Sequence, residues 1–119
     1  MLVRHYEDIE AVELMEGVKK RVVIGENEGA PTFIMRIFDL DPGKSSPFHV
    51  HPWEHEIFVL KGSGSATNDE GEQVSLGEGD TIFVPADEKH CLTNTGGDIF
   101  RFMCLIPMGV EESKAKNVE

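Results

Sequence analysis

Three of the five histidines of this 119-residue chain fall within one short segment, Pro47-Phe48-His49-Val50-His51-Pro52-Trp53-Glu54-His55-Glu56, and no other stretch limits the fold so sharply. In an extended segment the side chains at i and i+2 point to one side, with Cα atoms roughly 6 to 7 Å apart, so His49 and His51 can aim at one point. Pro52 cannot donate to a sheet ladder and disfavours helix at His51, which predicts a strand that breaks there and bends until His55 faces the same point. Three converging neutral imidazoles suit zinc, copper, iron or nickel and match calcium or magnesium poorly, because those ions take oxygen ligands. A fourth donor is sought in His5 or in His90. His90 is the better placed, since it follows Pro85-Ala86-Asp87-Glu88-Lys89 and leads into another strand-like region.

The rest of the chain reads as short strands between turn signals. Strands are expected over residues 18–24, 32–40, 56–61, 73–76, 81–84, 89–93 and 99–106, with turns at 25–31, Asp41-Pro42-Gly43, Gly62-Ser63-Gly64, Asn68-Asp69-Glu70-Gly71, Gly77-Glu78-Gly79-Asp80 and Asn94-Thr95-Gly96-Gly97. Turn signals recur at roughly eight to twelve residue spacing with no sustained helical period, which predicts an all-β sandwich, barrel or jelly roll. Length predicts one domain, 1–119, with a core over about 18–108. The acidic first seventeen residues read as a loose arm or short strand, and the polar tail 109–119 as frayed or disordered.

Alternation assigns faces within the last strand. If Arg101 faces water, then Phe102, Cys104 and Ile106 face the interior and are the candidates for a pocket wall. Cys104 has two readings, a small buried hydrophobe or a group beside the ion. Cys91 points the other way from His90. Arg36, inside an apolar strand, either meets an anionic substrate or sits on the barrel surface or a dimer interface. Trp53 forms a pocket lip or packs over the loop. Glu54 and Glu56 flank His55 and either accept a proton from a ligand's outer ring nitrogen or are solvated carboxylates.

Composition excludes some partners. A formal net charge of -11 repels phosphate backbones and anionic bilayers, so neither nucleic acid nor a membrane is expected as a partner. The N-terminus has no cationic start followed by an apolar run, and the default address is cytoplasmic. The two cysteines, Cys91 and Cys104, are read as reduced thiols. No nucleophile–base pair supports covalent hydrolase chemistry.

Taken together, the glycines and histidines resemble the two motifs of the cupin superfamily. The first runs Gly43, five residues, His49-Val50-His51, three residues, His55, six residues, Gly62; the second runs Gly79, five residues, Pro85, then His90, three residues, Asn94. The family usually has glycine where Asp87 stands, a departure expected to alter one turn and not the ligand, and most cupins carry a glutamate ligand where His55 stands. The run His51-Pro52-Trp53-Glu54-His55-Glu56 is similar to one found in small single-domain bacterial cupins, including a four-histidine manganese cupin. The resemblance implies a double-stranded β-helix, the cupin jelly-roll barrel, usually paired as a homodimer. It carries the ligand role onto His49, His51, His55 and His90, with manganese or iron as the first expected ions and nickel, zinc and copper also within the family's range.

Replacing a carboxylate ligand by His55 leaves the site with one negative charge fewer, which makes a divalent ion a stronger Lewis acid. Octahedral geometry leaves two open positions, whereas tetrahedral zinc would be closed by the same four donors. The function implied by the resemblance is a metal-dependent oxidoreductase of the dioxygenase type acting on a small organic molecule. The alternatives are a non-enzymatic module that binds a small ligand or the metal, and a metal-dependent isomerase or lyase, for which no general acid or base is identified.

Overall fold

The computed structural model describes residues 1–110 and 114–118. Its strands in chain order are β1 (Val12–Met15), β2 (Val18–Ile24), β3 (Phe33–Leu40), β4 (His49–Val50), β5 (His55–Lys61), β6 (Gly64–Thr67), β7 (Gln73–Leu76), β8 (Thr81–Val84), β9 (Cys91–Asn94), β10 (Phe100–Pro107) and β11 (Lys116–Asn117). They form a six-stranded sheet in the order β1-β2-β3-β10-β5-β8, a three-stranded sheet β7-β6-β9 and the pair β11-β4. The whole is a jelly-roll β-barrel. Among the described residues no helix is long and apolar enough to cross a membrane.

The barrel interior follows from the period-2 alternation of its strands. In β3 the inward residues Arg36, Phe38 and Leu40 stand opposite Cys104, Phe102 and Phe100 of β10, while Ile57 and Val59 of β5 flank Cys104 and Phe102 from the other side. Leu40, Val59 and Phe100 are fully buried. Each such side chain removed from water contributes roughly 1.5 to 3 kcal/mol. Arg101 lies on the opposite face, where it and Arg21 both bridge Asp39 and lie beside the Tyr6 ring. The N-terminal arm is thereby docked: Arg4 donates to the Val23 carbonyl and Arg21 to that of Ile9, and β1 pairs with β2.

The strands expected at 18–24, 73–76 and 81–84 form with those ends, and those expected at 32–40, 56–61, 89–93 and 99–106 form with ends shifted by one or two residues. Two elements differ from expectation. Gly64-Ser65-Ala66-Thr67 has none of the bulky residues that mark a strand, yet it forms β6 between β7 and β9. The reason is steric: a Cβ at Gly64 would lie 2.6 Å from the Phe100 ring, so close passage over the core requires the smallest residue. The second is the tail. Residues 116–117 pair with β4, and Val118 donates to the Phe48 carbonyl at 2.7 Å. Backbone pairing needs no apolar pattern, which is why a polar tail can supply it. The same expectation for 111–113 and 119 lies outside the described residues.

Candidate metal centre

His49 and His90 come from strand regions far apart in sequence and are joined by two backbone hydrogen bonds, His49 N–H to His90 O and His90 N–H to His49 O, each 3.0 Å. This bridge sets the two rings against each other, with their Nε2 atoms 3.1 Å apart. The chain breaks at Pro52, as proline requires, and His55 opens β5 with its side chain on the inward face. There its Nε2 meets the Nε2 of His51. One ring nitrogen from each of His49, His51, His55 and His90 lies within 4.8 Å of the others. His5 is elsewhere, exposed in the N-terminal arm, where its Nδ1 accepts from the Glu7 N–H.

The outer nitrogens determine which atom each ring presents. His51 Nδ1 lies 2.8 Å from the Trp53 carbonyl and His90 Nδ1 lies 2.8 Å from the Glu88 carbonyl. A carbonyl only accepts, so both Nδ1 atoms carry hydrogen, and in the neutral ring Nε2 is left with a free lone pair aimed into the cluster. His55 Nδ1 faces Cys104 Sγ at 2.8 Å. Backbone carbonyls and a sulfur thus take the positions considered for Glu54 and Glu56, both of which are exposed and border a groove outside the barrel. Trp53 stacks flat on His51, ring centroids 4.2 Å apart and 8° from parallel.

Electrostatics keep the rings neutral. Burial pushes the His49 pKa down to about 4, with help from neighbouring His90, His51 and Arg36. Burial and then the charge of His51 hold His55 far below its ordinary value. His51 and His90 are lowered chiefly by burial as well, against the opposing pull of their carbonyl hydrogen bonds. Neutral imidazoles with oriented lone pairs are the form that binds transition metals. Nitrogens on opposite sides of an ion at about 2.1 Å would stand about 4.2 Å apart. The observed spread is within a small side-chain adjustment of that, and the residues present fit a divalent ion.

Asp87 has the one positive φ among the described non-glycine residues, 66°. At the position where the resemblance expects glycine, the aspartate therefore adopts the left-handed conformation that glycine would favour, and its N–H donates to the His51 carbonyl at 2.9 Å. The turn is kept.

The cluster opens into a cavity of about 310 Å³, lined on its apolar sides by Leu14, Met15, Val18, Phe38, Ile57 and Phe102. Phe102 and Cys104 line it. Ile106 is buried at 3 % but lies outside the cavity, two positions further along β10 and opposite Ile34, where it borders the external groove instead. Two wider concavities outside the barrel, of about 660 and 800 Å³, contain none of the four histidines. Donor chemistry and not size marks the smaller cavity as the candidate site. Among the described residues no carboxylate lines it. Arg36 does line it, 8 % exposed, with Nη2 3.0 Å from Cys104 Sγ and 3.5 Å from His55 Nδ1. The signal for this placement was in the sequence: Arg36 shares its parity with Phe38 and Leu40.

Comparison with known proteins agrees with this fold. The family model described as "Cupin domain" matches residues 36–106. The chain is 33% identical to the polyketide cyclase RemF from Streptomyces resistomycificus, covering 100% of this chain and 86% of that one with a TM-score of 0.89. A predicted oxalate decarboxylase from Thermotoga maritima is 27% identical, with 90% and 99% of the two chains covered and a TM-score of 0.76. An oxalate-binding protein of the same organism is 37% identical over 68 residues, which is 56% of this chain and 55% of that protein, so the match spans about half of the relative's length.

Proposed function

This chain belongs to the cupin family, and on that premise we propose that it is a metal-dependent enzyme of the cyclase type, closing a small carbonyl compound into a ring. The observation that carries the reading is the convergence of one ring nitrogen from each of four histidines at the floor of the cavity, with the Nε2 lone pairs of His51 and His90 oriented into it. His49, His51, His55 and His90 hold one divalent ion, with manganese or iron put forward first and zinc, nickel and copper also suited to imidazole. When bound, such an ion supplies a Lewis-acidic centre whose charge is not reduced by its four neutral ligands. Trp53 fixes the plane of His51, and Phe38 stacked on Phe102 at 5.2 Å forms a wall that sheds water. The likeness to RemF over the full length of this chain supports ring closure as the reaction.

A second reading, an oxidoreductase of the dioxygenase type, is favoured by a different observation. Among the described residues the cavity has no carboxylate to serve as general base, and oxygenation would not need one. The two are separated by incubating metal-loaded protein with a linear β-triketone in air and under argon. Cyclisation yields a product isomeric with the substrate or lacking one water, formed equally in both gases; oxygenation consumes dioxygen in proportion to substrate and stops under argon. Saturable binding with no product in either gas would overturn both and leave a binding module. The reading takes the chain as one domain, paired as a cytoplasmic homodimer. Exposed Phe33, Phe58 and Phe83 support the pairing.

A further inference from the structure

Arg36 is a buried cation for which the described residues provide no anion. The residue is 8 % exposed, and its Nε is buried without a hydrogen-bond partner. No carboxylate among the described residues lies within ion-pair distance of it. Its contacts are Cys104 Sγ at 3.0 Å, the outer nitrogen of His55 at 3.5 Å, and the Phe38 ring, whose centroid lies 5.0 Å from the guanidinium carbon. Of the residues lining the cavity around it, Phe38, Phe102 and Ile57 are apolar, and Lys20 adds a second cation. A charge removed from water in such surroundings is costly unless an opposite charge joins it, and a planar guanidinium with free N–H groups is matched to an oxygen anion. The protein's own carboxylates are numerous, 22 in the chain, yet those described stay outside the cavity.

We propose that Arg36 recognises an anionic oxygen of the substrate, so that the cavity takes an apolar, ring-sized organic anion in preference to its neutral counterpart. The size fits: about 310 Å³ bounded by Phe38, Phe102, Trp53 and Leu14 accommodates one aromatic ring or its open-chain precursor. This rests on the reading of the cavity as the substrate site. It does not depend on which reaction follows, nor on the ion. Arg36 lies against the outer nitrogen of His55, so an anion held by Arg36 stands beside the cluster and can present a second oxygen to it.

Trp53 is the one tryptophan of the chain and lines the cavity, which makes its fluorescence a direct report of occupancy. The test titrates metal-loaded and chelator-treated protein with benzoate and with benzamide, the uncharged analogue of the same shape. Benzoate is expected to bind at least about tenfold more tightly in both preparations, the preference expected of one charge-assisted bond. Arg36→Met, which fills similar volume without charge, should abolish the preference in chelated protein, and Arg36→Lys should keep part of it. A wild type that does not discriminate the two ligands overturns the proposal even if neither variant folds. So does R36M that retains the wild-type preference after chelation. Discrimination confined to the metal-loaded protein would assign it to the ion and overturn the role of Arg36, whereas failure to bind any metal would strike the metal-centre reading and leave the chelated arm to decide this one.

Discussion

Replacing Asn94 tests how the second motif is held. The side chain is 2 % exposed and makes three hydrogen bonds: Nδ2 donates to the carbonyls of Leu40 at 2.9 Å and Asp98 at 2.8 Å, and Oδ1 accepts from the Gly96 N–H at 2.9 Å. Asn94→Ala removes all three and leaves the carbonyl of fully buried Leu40 without that donor. At about 1 kcal/mol per bond, plus part of the desolvation penalty of the orphaned carbonyl, the loss is about 3 to 4 kcal/mol. In a domain of this size that lowers Tm by about 12 °C or more. The sharper comparison is Asn94→Asp, which is nearly isosteric. One carboxylate oxygen keeps the Gly96 bond, but the other faces two carbonyl oxygens in a buried site, so the cost should exceed that of alanine by about 1 kcal/mol. Urea unfolding with an unchanged m-value measures both. The backbone bonds of Asn94 to Lys44 and Gly43 survive either substitution, so metal stoichiometry should be retained. An alanine cost below about 1 kcal/mol, or an aspartate variant more stable than the alanine one, would refute the reasoning.

Two further outcomes are expected. Asp87→Gly should be more stable than Asp87→Ala by about 1 kcal/mol, because the φ of 66° suits glycine and strains alanine; equal stability in chelator-treated protein would show that the turn relaxes. The second concerns pH. All four clustered histidines have folded pKa values below 6.5, that of His49 being about 4, so between those values the unfolded chain binds protons that the folded chain does not. Stability of the metal-free protein therefore rises with pH across this window, and is lost as pH falls from about 6.5 toward 4. Urea midpoints of chelated protein at pH values spanning the window should fall on acidification; a flat profile would contradict the burial of these rings.

Much of the fold was legible because its strands alternate. In residues 99–106 the order Phe100, Phe102, Cys104, Ile106 against Arg101 and Met103 specifies one inward face. Alternation could also have placed Arg36 indoors, where the sequence reading left it open, and could have dismissed Glu56, which adjoins inward-facing His55 on a strand and so must point out. β6 was hidden because its residues are chosen for smallness against Phe100 and not for strand preference. β11 was hidden because it contributes backbone alone. Histidine spacing brought out His49, His51 and His55, and the motif resemblance added His90, but the outer nitrogens of His51 and His90 are met by the carbonyls of Trp53 and Glu88, a group present in every residue and distinguished only by the path of the chain.

The backbone bridge between His49 and His90 bears on how an ion meets this protein. These residues are 41 apart in sequence, and drawing together the ends of a flexible loop of that length costs about 3 kcal/mol of chain entropy, apart from a constant. Sheet pairing on both sides of the bridge meets that cost when the barrel forms. A zinc finger must order its chain with the binding energy of its metal, so that removal of the ion unravels it. Here the donors are assembled by peptide groups, and the affinity of an arriving ion is not diminished by the work of gathering them. An ion held there would exchange with solution while the barrel keeps its shape.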